Sequence, residues 1–190
     1  MAFATCPVQG EVSTGLLEDS LIENYIRDVP DFPKPGIVFK DITPLLLSPE
    51  GLKEAIDGLQ AAVDPSSYDV ICGIESRGFI FGTALALATG KGFIPIRKPG
   101  KLPYKKISET YELEYGSDTV EIHEDAVTEG QRVLMVDDLL ATGGTMAAAL
   151  NLVRRIGGEI CACAFVIELG FLGGREKLGD VETHALMIVE

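Results

Sequence analysis

The sequence predicts an α/β fold: a mostly parallel central sheet flanked by helices. Two observations carry this. From Tyr68 onward, short apolar runs of strand length alternate with helical segments, and Val133–Val136 is too continuously apolar to have a solvated face. The chemically loaded residues also fall just after these runs, at the carboxyl ends where ligands bind in open parallel sheets.

Taken in order, residues Met1 to Leu17 show no periodicity and read as a loosely held arm. The arm ends at about residue 18, and one domain is expected over 19–190. Between Asp19 and Val29 the apolar residues Leu21, Ile22, Tyr25, Ile26 and Val29 mark one helical face, capped by Asp19 or Ser20. Pro30 to Gly36 carries three prolines and a glycine, which forbid helix and predict an extended loop with a turn. Ser48-Pro49-Glu50 is a start signal for a second amphipathic helix over Gly51–Val63. A strand over Tyr68–Ile74, a helix over Gly78–Thr89 and a strand over Gly92–Ile96 follow. Thr110–Tyr115 and Thr119–His123 flank Gly116-Ser117-Asp118 and read as a hairpin. Val133–Val136 is a buried strand, Thr145–Ile156 its helix, and Gly157-Gly158 the stop. Ile160–Leu169 is the next strand. A short segment at Arg175–Leu178 and a strand at Ala185–Val189 close the chain.

Composition excludes several classes. The 190 residues suffice for one domain that buries roughly 70% of its unfolded surface, and 46% hydrophobic content is that of a cored globular protein. No apolar run reaches the ~20 residues of a membrane helix. The first basic residue is Arg27, so neither a signal peptide nor a transit peptide is expected, and the chain reads as cytoplasmic. A net charge of −13 argues against nucleic acid as a partner. An acidic protein that binds an anion must gather its cations locally. Arg97, Lys98, Lys101, Lys105 and Lys106 do so within ten positions. Cys161 and Cys163, two apart in an apolar strand, are expected to share one face in the core, and with Cys6 and Cys72 they form no metal pattern. His123 and His184 read as packing or surface residues.

The strongest single stretch is Val133-Leu-Met-Val-Asp-Asp-Leu-Leu-Ala-Thr-Gly-Gly-Thr145. Two like charges at a buried strand's end cost stability unless a ligand or donors satisfy them. Two glycines and two hydroxyls ahead of a helix start form a cradle of backbone N–H groups for an anion. A helix cap would account for one aspartate, but not for a pair followed by Thr-Gly-Gly-Thr. Carboxylates able to hold sugar hydroxyls, beside a phosphate nest, predict a ribose 5-phosphate site. The chain has no Gly-x-Gly-x-x-Gly and no Gly-x-x-x-x-Gly-Lys-[Ser/Thr], so this is a different kind of phosphate turn.

Val136-Asp-Asp-Leu-Leu-Ala-Thr-Gly-Gly-Thr145 resembles the ribose 5-phosphate motif of type I phosphoribosyltransferases, and in its details their adenine-specific branch. Supporting stretches, in the family's order, are Asp31–Thr43, Gly73–Gly82, Ile96–Pro103, Tyr111–Gly116 and Gly174–Leu178. The resemblance runs from about Pro30 to the end of the chain. It implies transfer of ribose 5-phosphate from phosphoribosyl pyrophosphate to adenine, giving AMP and pyrophosphate, with Mg²⁺ held mainly by substrate and water. It also implies a homodimer, a small N-terminal hood, a base-binding segment over about 30–45 and a flexible catalytic loop over about 97–116. A relative acting on another purine base, or a regulatory module that only binds phosphoribosyl pyrophosphate, would share the motif. The latter would be expected to carry a basic DNA-binding helix.

The resemblance also assigns roles. Asp137 and Asp138 hold the ribose hydroxyls, and Ala141, Thr142, Gly143, Gly144 and Thr145 wrap the 5′-phosphate. Glu75, Ser76 and Arg77 meet pyrophosphate, with a cis peptide expected between Glu75 and Ser76; Arg97, Lys98 and Lys101 are the anion contacts of the loop. Adenine lies between Phe39 and Leu169, with the backbone of Val38 pairing to its edge. Lys40 stands where arginine is common, which keeps the charge but loses the planar fork. In enzymes for 6-oxopurines the residue before Thr-Gly is acidic; here it is Ala141, which does no proton chemistry. Glu114 takes its place as the catalytic group near the base's N7.

Overall fold

The computed structural model describes residues 21–112 and 116–190. The expected arm over 1–18 and the catalytic candidate Glu114 lie outside them. In chain order the strands and helices are β1 (Arg27–Pro30), β2 (Val38–Asp41), α1 (Thr43–Leu47), α2 (Pro49–Ala62), β3 (Val70–Ile74), α3 (Gly78–Thr89), β4 (Gly92–Ile96), β5 (Lys106–Glu112), β6 (Ser117–His123), β7 (Arg132–Leu140), α4 (Gly144–Arg155), β8 (Glu159–Leu169) and β9 (Thr183–Val189). Five of these strands form the central sheet in the order β4–β3–β7–β8–β9, with every pairing parallel.

All five residues of β3 are buried, because both faces of the sheet are covered. Val70, Cys72 and Ile74 pack toward α4 and the β5–β6 hairpin, with Met135, Val120 and Ile122. Ile71 faces the other way, among Phe81 and Leu85 of α3 and Leu59 of α2. The start of α2 was legible: Pro49 opens it, and the Ser48 hydroxyl accepts the Gly51 N–H at 3.0 Å.

Four expectations need correction. The helix expected over Asp19–Val29 is a 3-10 turn over Leu21–Tyr25, after which the chain becomes β1 and pairs antiparallel with β2. Cross-strand ion pairs, Arg27 with Asp41 and Lys40 with Asp28, favour the hairpin over the helical periodicity. The β5–β6 hairpin begins earlier than expected, at Lys106, so the end of the basic stretch is strand; Lys106 pairs with Glu121 at 2.7 Å. The strand expected to stop at Val136 runs on to Leu140, paired with β8 as far as Leu140 and Glu168, so Asp137 and Asp138 lie inside it. Cys161 and Cys163 do not share a face. Between Val133 and Leu134 the register skips a residue, so Ile160 and Ala162 are the successive partners and Cys161 is extra. That bulge puts Cys163 in the core on the α4 side and Cys161 against the core on the other.

The sheet order places the crevice. From β3 the chain steps outward to β4, whereas from β7 it steps the opposite way to β8 and β9. The connections leaving the carboxyl ends of β3 and β7 therefore diverge, and a ligand cleft is expected between them.

Candidate active site

A cleft of about 280 Å³ opens at that point. One wall is the turn from β3 into α3, with Glu75, Ser76 and Arg77; the other is the end of β7 and the turn into α4, Asp137 through Thr145. Lys98, Tyr111 and Asp118 close the third side. Segments more than sixty residues apart thus meet at one end of the sheet.

The turn after β7 is built around Gly143, whose φ of 76° suits a residue without a side chain. Gly143 caps α4 and gives it no side-chain hydrogen bond, so the helix presents its first N–H groups to the cleft. The turn is braced from behind. A Cβ on Gly143 would lie 2.3 Å from the Gly174 carbonyl oxygen, and one on Gly174 would lie 2.1 Å from that of Ala141. Gly174 is in turn fixed through its neighbour Arg175, whose Nε and Nη2 grip the buried carboxylate of Glu168 at 2.6–2.8 Å while Nη1 donates to the Thr183 carbonyl at 2.6 Å.

Asp137 and Asp138 sit side by side, the Asp138 N–H donating to Asp137 Oδ1 at 2.9 Å. Burial, then the neighbouring Asp138 charge, pushes the Asp137 carboxyl well above the usual carboxylate range. Burial also raises Asp138, against the pull of Arg77, whose Nε lies 2.8 Å from Asp138 Oδ2. α3 comes close here because its first residue is glycine: a Cβ on Gly78 would lie 2.7 Å from Asp137 Oδ1. The Arg77 guanidinium also lies 5.4 Å from the centre of the Phe39 ring, so one side chain links the carboxylate pair to the hairpin of β1 and β2.

The Glu75–Ser76 peptide is cis, as expected from the sequence. The Glu75 carboxylate, however, is occupied: it accepts from Arg97 Nε at 3.1 Å, Arg97 Nη2 at 3.3 Å and the Lys98 N–H at 3.0 Å. Arg97 holds that carboxyl below its usual range, so it stays ionised and anchors the basic loop. Lys98 reaches the cleft. Lys101 is exposed, does not line the cleft, and offers its carbonyl to Arg97 at 3.4 Å.

On the side of the β1–β2 hairpin, Phe39 meets Phe32 edge-on at 5.2 Å. Val38 is exposed opposite Pro30, and Lys40 binds Asp28 at 2.6 Å across the hairpin. Leu169 ends β8, half-buried at the same end of the sheet. Four residues of the site had no role assigned from sequence: Tyr111, Asp118, Gly78 and Gly174. Tyr111, Gly78 and Gly174 lie in stretches that resemble the family, and the alternation along β5 puts Tyr111 on its half-buried face with Ile107 and Glu109, against the core.

A family profile described as phosphoribosyl transferase domain matches residues 46–190. The chain is 55% identical over 177 residues to adenine phosphoribosyltransferase of Koribacter versatilis, covering 93% of this chain and 97% of that one. Among solved structures it resembles adenine phosphoribosyltransferase of Thermoanaerobacter pseudethanolicus, with TM-score 0.86, 50% identity and coverage of 88% and 98% of the two chains. It also resembles the Saccharomyces cerevisiae enzyme complexed with an imino-altritol bisphosphate and adenine, with TM-score 0.83, 42% identity and coverage of 87% and 96%.

Proposed function

The chain belongs to the phosphoribosyl transferase family, and from that premise we propose that it transfers ribose 5-phosphate from phosphoribosyl pyrophosphate to adenine, releasing pyrophosphate and AMP. The observation that carries this is the cleft's division of charge: an aspartate pair, Asp138 buried and Asp137 half-buried, beside an uncapped helix start, faced by Arg77 and Lys98.

The reaction needs that division. Breaking the bond at the anomeric carbon develops positive charge on the sugar and negative charge on pyrophosphate. Asp137 and Asp138 hold the ribose hydroxyls and stabilise the sugar's developing charge; Ala141 to Thr145 bind the 5′-phosphate. Arg77, Lys98 and the rest of the basic loop receive the leaving group, and the loop keeps out water that would hydrolyse the activated sugar. Adenine lies between Phe39 and Leu169 and is read by the backbone of Val38. One donor and one acceptor match adenine, while a 6-oxopurine reverses them and leaves polar groups unpaired. Ala141 does no proton chemistry, so Glu114 serves the base's N7. Glu114→Gln is expected to lower kcat by about 10²–10⁴ while binding of both substrates persists; unchanged turnover would remove this role.

Mg²⁺ fits as an ion that arrives with the substrate. Among the described residues no group of three or more His, Cys, Asp or Glu side chains gathers to hold a metal, and Mg²⁺ commonly keeps its waters while binding phosphates and one or two carboxylates. Of the cleft carboxylates, Asp137 has no cation partner among the described residues and would meet it first, while Asp138 would be shared with Arg77. When bound, it would neutralise charge on the pyrophosphate.

The working unit is a cytoplasmic homodimer. No helix among the described residues is long and apolar enough to cross a membrane. Ile80 and Leu87, seven residues apart on α3, are exposed on one face that a second copy would cover; sedimentation at micromolar concentration tests this. The activity test uses purified protein, Mg²⁺, phosphoribosyl pyrophosphate and each of adenine, hypoxanthine and guanine. AMP should form far faster than IMP or GMP. Ligand binding without AMP formation would favour a regulatory module instead.

A further inference from the structure

We infer that Asp118 is an internal competitor of pyrophosphate for Lys98, a positioning residue that sets how tightly the leaving group is held. The inference rests on the pyrophosphate role proposed for Lys98. The observation is a hydrogen-bond centre at the Tyr111 hydroxyl. That oxygen accepts from Lys98 Nζ at 3.2 Å and from Thr145 Oγ1 at 3.0 Å, and it donates to Asp118 Oδ2 at 3.2 Å. Asp118 Oδ2 also forms an ion pair with Lys98 directly. Its second oxygen is held by the Thr119 N–H at 2.7 Å, so the carboxylate is fixed where it stands.

The hairpin that carries Asp118 is itself docked. Gly144 leaves room for the Tyr111 ring: a Cβ there would lie 3.3 Å from it. Asn151 and Arg155 of α4 bind Glu109 on β5 at 3.3 and 2.9 Å. Asp118 is therefore presented to Lys98 by packed structure, not by a wandering side chain.

The consequence follows from what Lys98 must do. An ammonium has three donors, and here two are committed, to Asp118 and Tyr111. A pyrophosphate that takes more than the third donor of Lys98 must displace the carboxylate, and a departing pyrophosphate is replaced by it. Binding is weakened and release is favoured by the same group. A cation with a free charge would hold the product tightly after the chemistry is over, which raises neither turnover nor selectivity. Thr145 belongs to the same centre: its hydroxyl proton is given to Tyr111 and must turn to a bound 5′-phosphate.

Calorimetric titration with inorganic pyrophosphate and Mg²⁺, on the parent protein, Asp118→Asn and Glu112→Gln, tests this. Glu112→Gln removes an equal charge from the same hairpin without touching Lys98. Asp118→Asn should bind pyrophosphate about three- to fivefold more tightly, the upper range expected for freeing a partly exposed ion pair. Glu112→Gln should stay within about twofold. In turnover, Asp118→Asn should lower KM for phosphoribosyl pyrophosphate without raising kcat, since product release slows. Unchanged or weaker pyrophosphate binding in Asp118→Asn would overturn the inference, because Asp118 would then only orient Lys98. Equal tightening in both variants would also overturn it, by showing a general field effect. A parent protein that forms AMP alongside either result sinks this inference alone; a parent that forms none sinks the proposed function with it.

Discussion

Replacing Gly174 by alanine is the sharpest test of how the turn from β7 into α4 is held, and of the phosphate role proposed for it, since Gly174 lies outside the cleft lining. The added Cβ would lie 2.1 Å from the Ala141 carbonyl oxygen, 3.1 Å from the Ala141 carbonyl carbon and 3.1 Å from the Gly143 nitrogen. All three neighbours are backbone, so no side chain can swing aside. Restoring an ordinary separation of about 3.2–3.5 Å moves the turn, or Gly174, by about 1 Å. Gly174 is the less free of the two to yield, because its neighbour Arg175 is locked to buried Glu168 and to the Thr183 carbonyl. A misplacement of that size costs up to about 10²-fold in a preorganised site, and overpacking costs about 1–3 kcal/mol of stability. Ribose 5-phosphate binding by calorimetry, adenine binding by the same method, and urea unfolding separate the effects. The expected result is ribose 5-phosphate binding weakened by ten- to about a hundredfold, with adenine affinity nearly unchanged and the protein still folded. A variant that binds ribose 5-phosphate like the parent would refute the bracing role of Gly174, whatever its stability.

Three other outcomes are expected. Asp137 has a carboxyl raised by burial and by Asp138, so the folded state holds its proton more tightly than the unfolded state does. The ligand-free protein should therefore lose stability as pH rises from about 4 through that raised value. Asp137→Asn should melt higher than the parent at pH 8, by a margin that shrinks at pH 4, while losing phosphoribosyl pyrophosphate binding; a parent that melts at the same temperature as the variant at both pH values would contradict this. Arg77→Ala leaves buried Asp138 without its cation, and urea unfolding should register a loss of up to about 3 kcal/mol, the low end for breaking a buried pair because Arg77 is partly exposed. Burial pushes the Cys163 thiol up to about 12 and raises that of Cys72 too, so peptide mapping after thiol labelling at pH 8 should find both unmodified until the protein unfolds.

Much of the fold was legible because its signals are local. Continuous apolar runs such as Val70–Ile74 have one stable environment, a sheet covered on both faces. Ser48-Pro49 and Gly157 punctuate helices by chemistry that needs no distant partner. The turn from β7 into α4 was legible for the same reason, since Asp-Asp and Thr-Gly-Gly-Thr fall within a dozen consecutive residues.

Where distant segments decide, the sequence alone misled or was silent. The helical periodicity of residues 21–29 is real, but Arg27 and Lys40 found carboxylates across a hairpin, and those pairings turned residues 27–30 into a strand. One bulge in β8 separated Cys161 from Cys163, because side-chain facing follows pairing register and not residue count. The residue types of Glu75, Arg77, Lys98, Asp118 and Asp137 mark them as charged, and only the fold says which are spoken for. Glu75 is held by Arg97, Asp118 by Lys98 and Asp138 by Arg77. The amino-acid sequence by itself determined that this chain builds a parallel sheet with an Asp-Asp and Thr-Gly-Gly-Thr turn at its carboxyl end. The tertiary structure decided which charges face that turn unpaired and which already have partners, because Coulomb energies depend on distances across the chain that no spacing along it contains.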